Sequence, residues 1–170
     1  MLKCVVNDFC DNHITDKSVM LCATIESILK KQDVGFYLKK WKTKYNNLDY
    51  GKALSNFLEN KKPIESSGIL GAIRVIPYIH LSNDLNKIIE LALKNANTTH
   101  IGKDIDNGVK ALITSLYMVK NNKDKAEIYK AINKIYNLDE IDKNLIKNID
   151  QTPICQNIIP QAILVFLKAK

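Results

Sequence analysis

The sequence predicts an all-α protein, an orthogonal multi-helix bundle. Two observations carry this. Glycine is scarce at 6 and proline at 4 among 170 residues, too few turn formers for a strand-and-turn architecture. Apolar residues recur at helical spacing in one segment after another, each segment opened by a capping residue and closed by a short polar break. The sum is about seven to nine helices of unequal length on irregular connections, which suits crossing helices better than a regular four-helix bundle. No strand is expected.

The elements follow in order. Residues 1–12 are mixed, and Leu2, Val5, Val6 and Phe9 fit either an irregular helix or a strand. Thr15 or Asp16 is placed to cap the first clear helix, in which Val19, Leu21, Cys22, Ile25, Ile28 and Leu29 recur at helical spacing. Asp33 opens a second, with Phe36, Tyr37, Leu38 and Trp41 on one side and lysines on the other. Residues 48–58 hold a third, around Ala53, Leu54, Phe57 and Leu58, and residues 60–63 break it. Ser82, Asn83 and Asp84 cap a helix whose inner stripe is Leu85, Ile88, Ile89, Ala92 and Leu93. A polar break at residues 95–100 precedes a long helix ending near Asn121, with Ile105, Val109, Leu112, Ile113, Leu116 and Tyr117 inward. The turn at 121–124 opens a helix through Ala126, Tyr129, Ile132, Ile135 and Tyr136, and residues 139–148 read as one more. The last helix is expected to begin around Pro160, since proline suits a first turn.

One stretch stands apart, residues 66–77, with the sequence SSGILGAIRVIP. Gly68 and Gly71 stand three residues apart, where backbone can approach a ligand or another element without a side chain in the way. They lead into an apolar segment that Pro77 stops or kinks. That segment carries Arg74, the one arginine among 25 basic residues. A chain this biased toward lysine uses an arginine for its planar fork, either on a ligand or on partners inside the core.

The formal charge of +7 fits either an anionic partner, whether nucleotide, nucleic acid or membrane surface, or the Lys-, Asn- and Ile-rich composition of an AT-rich genome, and the second is the reading favoured here. The lysines are spread along the chain beside abundant Asn and Ile, with no aromatic-interleaved basic stripe, so nucleic acid is not the expected partner. Cys4, Cys10, Cys22 and Cys155 form no CxxC pair and match neither a zinc site nor a secreted framework. No signal-peptide apolar region and no membrane-length run occur, so a single domain over residues 1–170, cytoplasmic and off the membrane, is expected. Thr15, Asp16 and Ser18 offer hard oxygens that suit Mg²⁺, or simply a helix cap. His100 could hydrogen-bond a phosphate or a ligand hydroxyl, or cap the helix that follows. No GxSxG elbow, GxGxxG loop or Walker pattern is present.

These stretches together resemble one family. The run His13-Ile14-Thr15-Asp16-Lys17-Ser18-Val19-Met20 resembles the TDDTxM element of the ADP-ribosylglycohydrolases. Residues 66–77 are similar to their SxGxGAxMRxAP element, and Thr98-Thr99-His100 resembles their TH element at the head of a helix. Residues 158–167, IIPQAILVFL, are similar to their VPxALxxFL helix. Order and approximate spacing agree over about residues 13–170.

The resemblance implies an all-α fold and a cleft where two Mg²⁺ ions sit beside an ADP-ribose. It also implies hydrolysis of the bond from that ADP-ribose to a modified side chain. It assigns Thr15 and Asp16 to metal, and Gly68, Gly71, Arg74 and His100 to the ligand cleft. Lys17 departs from the pattern by standing where the family has a second aspartate. An ammonium is no metal ligand, but as a point cation it can pair with a diphosphate. The GDALG element has no counterpart in residues 1–12, and the GGDTDT element would follow beyond Lys170. The expectation is therefore a shortened, degenerate core that recognises ADP-ribose or an ADP-ribosylated protein. Mg²⁺ is bound weakly or not at all, and hydrolysis is weak or lost. The alternative is a non-enzymatic helical module with a vestigial cleft. In either case a second copy could cover faces left apolar.

Overall fold

The computed structural model describes residues 14–145 and 152–169. Nine α-helices run through them: α1 (Asp16–Lys30), α2 (Val34–Lys44), α3 (Gly51–Asn60), α4 (Leu70–Ile73), α5 (Leu85–Ala96), α6 (Lys103–Lys120), α7 (Lys125–Ile132), α8 (Leu138–Leu145) and α9 (Cys155–Lys168). The all-α expectation holds. The reading of residues 1–12 and the end of the helix expected at 139–148 lie outside the described residues.

Helices begin where a side chain can take over the orphan N–H groups of the first turn. The Thr15 hydroxyl accepts from the Ser18 N–H, and Asp33 accepts from Phe36. Asp84 accepts from Asn86 and Lys87, and Asp124 and Glu127 form a reciprocal capping box. Lys31 and Lys61, with φ of 53° and 57°, end α1 and α3 in the left-handed conformation.

Two cores form side by side. One joins α1, α2 and α3 around Met20, Leu38 and Leu54, each 0% exposed. The other joins α4 to α9 around Ile88, Ile105, Ile113 and Ile132. Each such side chain contributes about 1.5–3 kcal/mol by leaving water. The buried face of α1 is Val19, Met20, Ala23, Thr24 and Ser27. Of the expected apolar stripe, Leu29 is 74% exposed. In α2, Phe36 is 61% exposed while Tyr37 and Leu38 are buried. Periodicity marks an apolar face, but small residues set which strip of it lets α1 and α2 approach closely.

Two sequence readings are corrected. Residues 64–65 and 100–101 pair as parallel two-residue strands, β1 (Ile64–Glu65) and β2 (His100–Ile101), where no strand was expected. A pairing this short leaves no period in the sequence to detect. The last helix starts at Cys155, and Pro160 lies inside it. Its start is fixed by contacts from elsewhere: Cys155 N–H donates to the Ser67 carbonyl at 2.8 Å, and Ile154 bridges to Gly68. Among the described residues no helix is long and apolar enough to cross a membrane.

Candidate ligand-binding site

Three distant segments are stitched together at the seam between the two cores. The β1–β2 pair sets Ile64 beside His100, with Ile64 N–H on the Thr99 carbonyl and Ser66 N–H on the Ile101 carbonyl. From the other side, Ile69 N–H donates to the Pro153 carbonyl at 3.1 Å. The loop of residues 66–70 is thus held between β2 and the approach to α9. Its two glycines flank one imidazole. A Cβ on Gly71 would stand 3.0 Å from His100 Cγ and Nδ1, and one on Gly68 would stand 3.4 Å from Nε2. Close approach to this ring, not backbone conformation, is what both positions require.

Arg74 lies behind that ring. It is 0% exposed, and its fork is engaged throughout by the chain. Nε donates to Asn95 Oδ1 at 2.9 Å, Nη1 to Thr99 Oγ1 at 2.8 Å, and Nη2 to the carbonyls of Asn95 at 2.7 Å and Ala96 at 3.2 Å. Those carbonyls are the C-terminal end of α5, where the helix dipole is negative, so a buried cation is held by oriented dipoles. Burial pushes its pKa down to about 10, and it stays charged at neutral pH. Thr99 Oγ1 is in turn 2.6 Å from His100 Nδ1. Burial, with the Arg74 charge adding to it, pushes His100 down to about 3.

A cavity of about 330 Å³ opens in front of His100. Of the residues singled out from sequence, Asp16, Lys17, Gly68 and His100 line it. Thr15, Gly71 and Arg74 are not among its lining residues: Thr15 caps α1, and Gly71 and Arg74 support the His100 ring from behind. Arg74 therefore takes the internal one of its two readings, through bonds to residues that sequence spacing does not connect to it. Ser66, the first residue of the stretch singled out, lines it too, and the chain also brings in Asp49, Tyr50 and Pro153, which sequence reasoning missed. Of these three, only Asp49 left a signal. Asp49 accepts from Gly51 N–H at 2.9 Å, and Gly51 has φ of 72°, so Asp-Tyr-Gly is a legible turn.

The donor set of the described residues does not fit a pair of magnesium ions. Among the described residues, no group of three or more His, Cys, Asp or Glu side chains is placed to hold a metal. The Asp16 carboxylate is taken up by Lys17 Nζ, at 3.0 Å and 3.3 Å to its two oxygens. The Thr15 hydroxyl is turned to Ser18. Mg²⁺ needs several oxygen ligands free of competing cations.

The buried His100 has a consequence for acid stability. Its folded pKa of about 3 lies below the usual 6.5, so the unfolded chain takes the proton first. The contribution is complete above about pH 6.5 and drains away as pH falls below it, at up to about 1.4 kcal/mol per unit. Urea midpoints measured between about pH 7 and about pH 4 should show a loss of roughly 2–3 kcal/mol that His100→Gln removes. Parallel slopes for the two proteins would place the ring in solvent.

The family model for ADP-ribosylglycohydrolases matches residues 3–168, nearly the whole chain. No curated protein matches it. The match takes in every motif that builds the cavity, from the first turn of α1 to α9. With the helical fold and the His100 cleft in place, the chain belongs to the ADP-ribosylglycohydrolase family.

Proposed function

We propose that the chain recognises ADP-ribose, or the ADP-ribosyl group of a modified protein, in the cavity in front of His100. The observation that carries this reading is the convergence of Lys17, Gly68 and His100 on one hollow inside a family member. The first turn of α1 opens onto it, so the positive end of a helix and the Lys17 ammonium both face an incoming diphosphate. The Asp16–Lys17 pair is partly exposed and worth at most about 1 kcal/mol, so a diphosphate competes for Lys17 at little cost. A second hollow of about 350 Å³ shares Ser66 with the first, which suits an elongated ligand. Hydrolysis by a two-metal route is weak or lost, because Lys17 places an ammonium where such a route needs a second carboxylate.

Calorimetry with ADP-ribose, with and without Mg²⁺, tests this. Binding should occur and be insensitive to Mg²⁺. Lys17→Ala should weaken it about tenfold to a hundredfold, the usual loss for a hydrogen bond to a charged group. No heat at millimolar ligand from the folded chain would end the recognition reading. Metal-dependent release of ADP-ribose from modified arginine would end the claim of lost turnover.

A second reading, a helical module that binds protein, has its own observation. An apolar groove of about 390 Å³ lies between α6 and α9, with Leu116, Val119, Ile158 and Phe166 on its walls. A second copy of the chain is the partner proposed for it. Sedimentation that shows a monomer at the highest soluble concentration would exclude that copy.

A further inference from the structure

The hydrogen bonds around Thr99 constrain where the protons lie. A guanidinium has donors only, so Thr99 Oγ1 accepts from Arg74 Nη1 at 2.8 Å. The hydroxyl has one proton left to give and two oxygen or nitrogen atoms near it. One is His100 Nδ1 at 2.6 Å, and the other is the Ala96 carbonyl at 3.5 Å. That carbonyl already receives Arg74 Nη2 and Thr99 N–H, each at 3.2 Å, which fills its two lone pairs. A contact of 3.5 Å to an occupied acceptor does not compete with one of 2.6 Å to an open one. In the reverse arrangement Nδ1–H would donate to the second lone pair of Oγ1 and leave the hydroxyl proton only the 3.5 Å contact to the filled Ala96 carbonyl; with the Thr99 proton on Nδ1, that ring nitrogen carries no proton of its own.

We propose that Arg74, acting through Thr99, locks His100 as the tautomer protonated at Nε2, so that the ring presents a hydrogen-bond donor to the cavity and cannot act there as a base. Nε2 is on the Gly68 side of the ring, and Gly68 and His100 line the same hollow. The ring then selects for an oxygen acceptor, a phosphate or hydroxyl oxygen, and turns away a donor. It leaves activation of water to some other group. The low pKa of His100 keeps the donor neutral and unchanged across the physiological range. Arg74 and Thr99 are positioning residues in this scheme. The consequence for ligand choice rests on the recognition reading above, but the tautomer itself does not.

The test is the nitrogen-15 spectrum of the imidazoles in the ligand-free chain, which has 3 histidines to assign. His100 should show a pyridine-type Nδ1 and a pyrrole-type Nε2. A protonated Nδ1 in the unaltered protein would overturn the proposal outright, with no variant needed. Thr99→Val keeps the shape and removes the hydroxyl, so the Nε2–H signature should be lost or mixed, and Thr99→Ser should restore it. An unchanged spectrum in a folded Thr99→Val would also overturn it. ADP-ribose binding should weaken about tenfold in Thr99→Val and recover in Thr99→Ser, in line with one hydrogen bond. If the tautomer is found and no variant binds ADP-ribose, the recognition reading falls and the lock stands.

Discussion

Arg74→Ala is expected to lower the stability of the chain by about 3–5 kcal/mol, which is the size of loss seen when a large buried side chain is truncated and its partners are left unpaired. The side chain is wholly buried and makes four hydrogen bonds, all to residues 95–99. Its removal leaves a cavity, strands Asn95 Oδ1 without its donor, and takes one of two donors from each of the Asn95 and Ala96 carbonyls, which keep Thr98 N–H and Thr99 N–H. For a chain of this length the total stability is on the order of 5–15 kcal/mol, so the variant sits close to the edge of folding. The thermal midpoint should fall by roughly 10 °C or more. Arg74→Lys should recover only part of this, because one ammonium cannot span acceptors arranged for a planar fork. A urea midpoint for Arg74→Ala within about 1 kcal/mol of the unaltered chain would show that the fork is not what holds the end of α5.

Gly108→Ala is the second large effect, and here the sign has to be decided by magnitude. In an exposed helix interior the change from glycine to alanine gains about 1 kcal/mol. At Gly108 the new methyl would stand 2.8 Å from Cys155 Cβ and 2.9 Å from Ile159 Cδ1. A Cβ is the base of a side chain and cannot rotate away, so α6 and α9 must separate. Overpacking of this kind costs about 1–3 kcal/mol and outweighs the propensity gain. The damage should reach the cavity, because Pro153, just before α9, and Cys155, its first residue, hold the loop through Ile69 and Ser67. Denaturation of Gly108→Ala, with ADP-ribose calorimetry beside it, should show a net loss of stability and weaker binding. A stabilised variant would mean that α6 and α9 are looser than described.

The legibility of this molecule divides at about one helical turn of sequence. The caps Thr15, Asp33, Asp84 and Asp124 are local, because the accepting side chain and the donor N–H lie within three residues. Lys17 beside Asp16 is equally local, and its bearing on a metal site could be read before any fold. The glycine pair was visible as a close approach, but nothing nearby named the object approached. That object is His100, which lies 29 and 32 residues further along from Gly71 and Gly68. Arg74 was visible as an oddity of composition, while its acceptors lie 21 to 25 residues away.

The sequence alone determined the helical class, the helix starts that a side chain caps and the family motifs, since each depends on residues within a few positions of one another. Only the tertiary structure decided which side of Arg74 faces inward, where α9 begins and which residues share a cavity with Lys17 and His100. The reason is physical. A two-residue strand pair and a buried guanidinium draw their stability from partners brought near by packing, and no local pattern in the chain encodes the distance that packing closes.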